Sequence, residues 1–211
     1  MATRFLYFDL GNVLLSFSHD RMCRQMAAVA DVDEQTVHSV LFGGPAGASL
    51  QWRLERGEID VDAAYEEFCR GAKRRPPREA LYAAASDIFA EIPDTISLVR
   101  RLAVAGQRMG ILSNTNPVDW RHISQRFPHV LRDFQHTVLS FEAGEMKPAS
   151  GIYECAVRRS GAAPAEVFFT DDRPENVDGA LAAGMDAVLF TSADALAEQL
   201  CRRGVAGASL S

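Results

Sequence analysis

"RFLYFDLGNVLLSF", residues 4 to 17, decides how this chain folds. Phe5 to Phe8 are apolar without interruption, a run too short for a helix and too uniform for a half-exposed strand. The pattern predicts a strand buried on both faces. The run ends on a carboxylate, Asp9, with Gly11 and Asn12 close behind before the apolar residues resume. Gly and Asn favour turns, so a strand ending at a turn is one reading. Yet a carboxylate at the tip of a buried strand costs free energy unless it is paired, hydrogen-bonded or bound to a metal. A functional reading therefore needs other polar residues aimed at the same place.

After residue 100 short apolar runs recur at Met109 to Leu112, His136 to Leu139, Val167 to Phe169 and Ala187 to Phe190. Between them Pro117 to Phe127, Gly151 to Ser160 and Glu175 to Ala183 carry helical spacing. Strands alternating with helices predict an α/β fold, a Rossmann-like parallel sheet covered on both faces. Residues 18 to 92 read differently. "DRMCRQMAAVA", "DEQTVHSVLFG", "ASLQWRLERGEI" and "VDAAYEEFCRGAKRR" are successive amphipathic helices, with Asp20 and Asp33 as N-caps and Gly43 and Gly71 as stops. The expected organisation is a catalytic core from residues 1–15 and 94–204, a helical cap of 16–93 inserted after the first strand, and a loosely ordered small-residue tail, 205–211. Hinges are expected near Leu15 to Ser18 and Ile92 to Thr95. A block inserted there overhangs the C-terminal strand ends, where open parallel sheets bind ligands.

Composition limits the function classes. The 211 residues are 47% hydrophobic and 24% charged with a net charge of −6, an ordinary globular balance that speaks against a nucleic-acid surface. The one dense basic stretch, Lys73 to Arg75 with Arg78, is broken by Pro76 and Pro77 and reads as a solvated loop. Cys23, Cys69, Cys155 and Cys201 are widely spread and imply reduced thiols in a cytoplasmic protein. No leader and no membrane span is expected, and the chain is expected to act as a monomer or small homo-oligomer on a small molecule.

The strand ends hold the most unusual polar groups. The first ends in Asp9, the second in Ser113 to Asn116, the third leads to Lys147, and the fourth ends in Asp171 and Asp172. A parallel sheet gathers these ends at one edge. Three acids do not stay ionised together without a cation, and hard oxygen ligands suit Mg²⁺. Ser113, adjacent backbone N–H groups and Lys147 would hold phosphate oxygens. Aspartate also serves as a nucleophile in acyl-phosphate chemistry. Singly, each has an ordinary explanation: Ser113-Asn114 or Asp171-Asp172 as a helix cap, Lys147 as a loop lysine. Those explanations do not account for one element per successive strand end.

In this order the motifs resemble the haloacid dehalogenase (HAD) superfamily. "FDLGNVLL", "ILSNTNP", "EMKPASGIY" and "FFTDDRPENV", with "ERGEI" in the insert, are most similar to its small-capped branch that hydrolyses α-D-glucose 1-phosphate. The resemblance implies a Mg²⁺-dependent phosphatase that works through an aspartyl-phosphate. Asp9 would be nucleophile and metal ligand, the Gly11 carbonyl and Asp172 further ligands, and Asp171 a direct or indirect one. Ser113 and Asn114 would bind phosphate, and Lys147 would bridge phosphate and Asp9. The substrate would be a small phosphorylated metabolite such as a sugar phosphate.

One position departs from the pattern. Most phosphatases of this superfamily carry a second aspartate two residues after the nucleophile as general acid, where this chain has Gly11. A positioned acid contributes roughly 10²–10⁴-fold. Either an anomeric leaving oxygen tolerates the loss, with water, Glu55, His19 or Asp20 supplying the proton, or the chain is a 2-haloacid dehalogenase-type hydrolase, or it is a catalytically silent binding protein. Dehalogenases tend to replace the acids after the fourth strand, and Asp171 and Asp172 are both kept. Specificity should lie in the cap, where Trp52, Tyr65 and Phe68 stand at core-like helical spacing, Arg53 and Arg56 could reach substrate, and Gly57 ends a helix. Asp119, Trp120 and Arg121 either flank the site or form the next helix's first turn.

Overall fold

The computed structural model describes residues 2–45 and 47–209. Phe5–Phe8 form β1, in which every side chain is buried. Successive side chains point to opposite faces of a strand, and here Leu6 and Phe8 join one apolar layer while Phe5 and Tyr7 join the other. A strand with two apolar faces has to lie inside a covered sheet, and β1 does. Two-residue strands follow at Leu15–Ser16 (β2) and Ala90–Glu91 (β3), then Met109–Ser113 (β4), His136–Leu139 (β5), Val167–Asp171 (β6) and Asp186–Leu189 (β7). The main sheet is five-stranded in the order β5-β4-β1-β6-β7, and each of its pairings is parallel. Helices cover both faces, giving the α/β architecture expected.

The register positions the site. Phe8 stands beside Ile111 of β4 and Thr170 of β6, so Asp9, one residue further on, emerges between the C-terminal ends of β4 and β6. Those ends are Ser113 and Asp171.

The helical insert contains His19–Ala30, Glu34–Phe42, Leu50–Glu55, Val61–Ala72 and Arg78–Ser86. It packs an apolar cluster of its own around Met22, Met26, Val37, Leu41, Phe68 and Leu81. β2 and β3 pair antiparallel where the chain passes between core and insert, β2 within the first stretch expected to act as a hinge and β3 just before the second. Strands this short leave no periodicity to read.

Several local expectations are corrected. Ser18, and not Asp20, caps the first helix, accepting from the Arg21 N–H at 3.2 Å; Asp20 sits in the first turn, where its charge suits the helix dipole. Asp33 caps as expected, with Thr36 N at 2.6 Å. Gly43 ends its helix, but Gly71 lies inside Val61–Ala72. A Cβ there would stand 2.8 Å from Val40, so Gly71 is a close contact between two helices and no stop. The tail expected to be loose from 205 onward packs instead: Val205 and Ala208 are 8% and 0% exposed in the main core cluster. Residues 210 and 211 of that tail lie outside the described residues. Among the described residues no helix is long and apolar enough to cross a membrane.

Candidate active site

Lys147 organises the sheet edge. Its ammonium has three donors, and all three are taken: Asp171 Oδ2 at 2.5 Å, Asp9 Oδ1 at 2.8 Å and the Leu112 carbonyl at 2.9 Å. The group is almost wholly enclosed, its side chain 1% exposed. Burial opposes the charge, yet the two carboxylates carry the Lys147 pKa above its ordinary value. Lys147 thus bridges Asp9 to Asp171, and the expected contact with Asp9 is present.

Asn114 holds this lysine in place. Its Nδ2 donates to the Lys147 carbonyl at 3.0 Å and its Oδ1 accepts the Lys147 N–H at 2.8 Å. The Asn114 amide, expected to bind phosphate, is therefore engaged elsewhere, and any phosphate contact there falls to the backbone N–H. Ser113 is 2% exposed and its Oγ has only a long 3.3 Å contact with the Asn114 carbonyl, so the hydroxyl remains open to a better acceptor. The helix Pro117–Arg126 is capped by Asn116, whose Oδ1 accepts from Val118 N at 2.9 Å and Asp119 N at 3.0 Å. Ser113-Asn114 is thus no helix cap.

Asp9, Asp171 and Asp172 each place a carboxylate oxygen within 4.8 Å of the others. They are not equivalent. Asp171 is fully buried with both oxygens committed, Oδ2 to Lys147 and Oδ1 to Asn176 Nδ2 and Arg173 N, each at 2.9 Å. Asp172 is half-buried, and the hydrogen bond its side chain accepts comes from Asn12 Nδ2 at 3.0 Å. Burial, with Asp171 adding and Lys147 opposing, pushes Asp9 up to about 7. Three carboxylates against one ammonium leave an excess of two negative charges. Hard oxygen donors with that excess fit a divalent cation such as Mg²⁺, with Asp9 and Asp172 holding the more available oxygens.

The two residues behind Asp9 now have distinct uses. Asn12 adopts φ +53°, a left-handed turn that Asn tolerates, and this delivers its amide to Asp172. The sequence reading assigned Asn12 only to a turn; nothing local tells that its side chain reaches a strand end 160 residues away. At Gly11 a Cβ would stand 2.8 Å from the Phe17 ring, so a larger residue there requires that ring to shift. Phe17 fills the space that an acid at this position would need.

A cavity of about 340 Å³ opens over these groups. The core lines it with Asp9, Ser113, Lys147, Asp172 and Asp119, the insert with His19, Gln51, Trp52 and Glu55. Glu55 faces the cavity and accepts from Gln51 Nε2 at 2.7 Å. Burial raises its pKa, against the Gln51 hydrogen bond and the charge of Arg173. Asp119 accepts from Asn116 Nδ2 at 2.6 Å; burial and then the Glu55 charge push it up to about 7. Both readings of the 119–121 stretch hold in part: all three residues lie in the helix, and of them only Asp119 lines the cavity. Asp20 is exposed away from it. Tyr65 and Phe68 are insert core, at 6% and 2% exposure, whereas Trp52 is 44% exposed. Arg53 and Arg56 pair with Glu67 and Glu58, each at 2.8 Å, and do not line the cavity.

The protein is thus a Rossmann-like parallel sheet with a lysine-bridged acidic cluster at its C-terminal edge, under a helical insert. Residues 5–184 match the haloacid dehalogenase-like hydrolase family model, and the chain belongs to that family. Flavin mononucleotide hydrolase 1 of Arabidopsis thaliana is 34% identical over 91 residues, 43% of this chain and 37% of that protein. The glyceraldehyde 3-phosphate phosphatase of Methanothermobacter thermautotrophicus is 33% identical over 102 residues, 47% of this chain and 44% of that protein. The chain thus aligns with less than half the length of either relative. The fold is shared with a HAD family enzyme of Bacteroides thetaiotaomicron solved with magnesium and inorganic phosphate (TM-score 0.78, 23% identity, covering 90% of this chain and 94% of that one).

Proposed function

We propose that the protein is a Mg²⁺-dependent phosphomonoesterase that hydrolyses a small phosphorylated metabolite, with α-D-glucose 1-phosphate as a candidate substrate, through an aspartyl-phosphate on Asp9. One observation carries the reading: Lys147 holds Asp9 at 2.8 Å, at the floor of a cavity that Ser113 and Asp172 also line. The relatives' names, a flavin mononucleotide hydrolase and a glyceraldehyde 3-phosphate phosphatase, support phosphoester chemistry.

In this mechanism Lys147 favours the ionised form of Asp9 against the cost of burial, and an Asp9 oxygen attacks phosphorus in line with the leaving oxygen. The Ser113 hydroxyl and the backbone N–H groups after β4 receive the phosphoryl oxygens. Water then cleaves the acyl-phosphate and returns Asp9. Asp171 keeps Lys147 in place from behind. Mg²⁺, held by Asp9, Asp172 and the Gly11 carbonyl, would neutralise charge on the phosphoryl group, where electrostatics and positioning dominate. Gly11, with Phe17 packed against it, offers no general acid, which favours substrates whose leaving oxygen departs readily, as an anomeric one does. The free thiols of Cys23, Cys69, Cys155 and Cys201 suit a reducing compartment such as the cytoplasm.

The test is phosphate release from α-D-glucose 1-phosphate, glucose 6-phosphate, glyceraldehyde 3-phosphate and flavin mononucleotide, with Mg²⁺ and with chelator. Release that requires Mg²⁺ and favours the anomeric ester is expected. Release unaffected by chelation, or silence on every ester, would overturn the reading.

A further inference from the structure

The phosphoryl chemistry leaves one wall of the cavity without a task. Glu55 and Gln51 come from the helix Leu50–Glu55, Trp52 from the same turn, and Asp119 from the first turn of Pro117–Arg126; all line the space above Asp9. Each carboxylate has one oxygen engaged by a neutral amide, Glu55 by Gln51 at 2.7 Å and Asp119 by Asn116 at 2.6 Å. Neither forms an ion pair among the described residues. Arg173 lines the same cavity, near enough for its charge to act on Glu55.

We propose that Glu55, Asp119, Gln51 and Trp52 form the leaving-group subsite, and that they select an uncharged, hydroxyl-rich group, a sugar or polyol. The proposal rests on the phosphatase reading above. The chemistry of the wall points to this class. Carboxylate oxygens accept hydroxyl donors, the Gln51 amide both donates and accepts, and a carboxyl that retains a proton can donate as well. Burial together with the Glu55 charge favours such retention at Asp119. A half-exposed Trp52 offers the apolar face of a sugar ring a flat surface. A second phosphate or a carboxylate on the substrate would meet two acids in a partly desolvated space. A cationic group would meet Arg173. At about 340 Å³ the cavity lies near the lower end of small-ligand sites, which run from about 300 to 1,000 Å³. It suits one ring.

The experiment compares kcat/KM for α-D-glucose 1-phosphate, its 2-, 3-, 4- and 6-deoxy analogues, glucose 1,6-bisphosphate, phosphocholine and acetyl phosphate, with Mg²⁺ throughout. A site built to bond a hydroxyl penalises its absence strongly, so at least one deoxy analogue is expected to lose about tenfold or more on the unmodified protein. Glu55→Gln and Asp119→Asn should each lower the ratio of glucose 1-phosphate to acetyl phosphate by about tenfold, chiefly through KM, and shrink a deoxy penalty. Glu55→Gln should also narrow the discrimination against the bisphosphate. Thermal unfolding of both variants checks that they fold, and the deoxy series needs no variant. A deoxy series without penalty, a ratio unchanged in both variants, or a preference for phosphocholine would overturn the subsite while leaving the phosphatase reading intact. Absence of Mg²⁺-dependent release from every ester would overturn that reading, and the subsite with it.

Discussion

Two pairs of acids, one at the floor of the cavity with Asp171 buried behind it and one on the cap side, have different partners. At the sheet edge Asp9 and Asp171 share the Lys147 ammonium at 2.8 and 2.5 Å. On the cap side Glu55 and Asp119 have amide partners and no ammonium. Burial raises both Asp9 and Asp119 to about 7, but Lys147 opposes the rise at Asp9 whereas Glu55 adds to it at Asp119. At Asp9 an ammonium of the protein itself counters the cost of burial; at Asp119 the neighbouring charge is another acid. The contrast matches a division of labour between phosphoryl chemistry below and recognition of the leaving group above.

The largest break in that contrast comes from Asp9→Asn. The amide keeps the shape and loses the nucleophile, so turnover should fall on the order of 10³-fold or more while thermal unfolding stays close to that of the unmodified protein. Appreciable residual turnover would remove Asp9 as nucleophile. Lys147→Ala should act on stability as well. It leaves two buried carboxylates without their cation, a loss of about 3–5 kcal/mol by the general cost of breaking a buried pair. Denaturant titration reads it, and a loss below about 1 kcal/mol would mean that the edge rearranges freely around the vacancy.

A smaller effect isolates the ion. Asp172 receives an amide from Asn12 at 3.0 Å, and groups that orient a metal ligand typically matter 10–100-fold in affinity. Asn12→Ala should weaken Mg²⁺ binding about tenfold by calorimetry in the absence of substrate, and Asp172→Asn by more. Equal binding in Asn12→Ala would make that contact incidental.

How much of this was legible before folding follows from where each residue sits. Asp9, Ser113 and Asp171 stand at the ends of apolar runs, with Lys147 in the segment that follows another, and parallel strand order carries such ends to one edge; period and polarity therefore placed them together. β2 and β3 escaped because two residues carry no period. Asn12 and Asn114 escaped for a different reason, since their amides act on residues 160 and 33 positions away. Glu55 and Asp119 were each visible as candidates, Glu55 as a proton donor and Asp119 as a site or helix residue. Their meeting depends on how the insert docks on the core, and helical periodicity is silent about docking. Gly57 records that docking: it adopts φ +67°, and a Cβ would stand 2.4 Å from the Phe141 carbonyl of the core.

The finest test of the contrast is the pH dependence of Asp119→Asn. The folded pKa of Asp119, about 7, stands above the ordinary value of 3.8 because of burial first and the Glu55 charge second. Folding therefore favours the protonated form, and the contribution is whole below about pH 4 and lost as pH rises through about 7. Asparagine cannot ionise, so the variant escapes that loss. At pH 8 it should be more stable than the unmodified protein by on the order of 1 kcal/mol per unit of pKa shift retained, and at pH 4 the advantage should vanish. Thermal unfolding of both proteins across this range reads the difference, in which groups common to both cancel. Asn116 stays available as a partner in either case. Adding Glu55→Gln to both proteins should reduce the difference, since the Glu55 charge is part of its cause. An offset that does not change with pH would mean that Asp119 is ionised throughout, and that neither burial nor the Glu55 charge suppresses it.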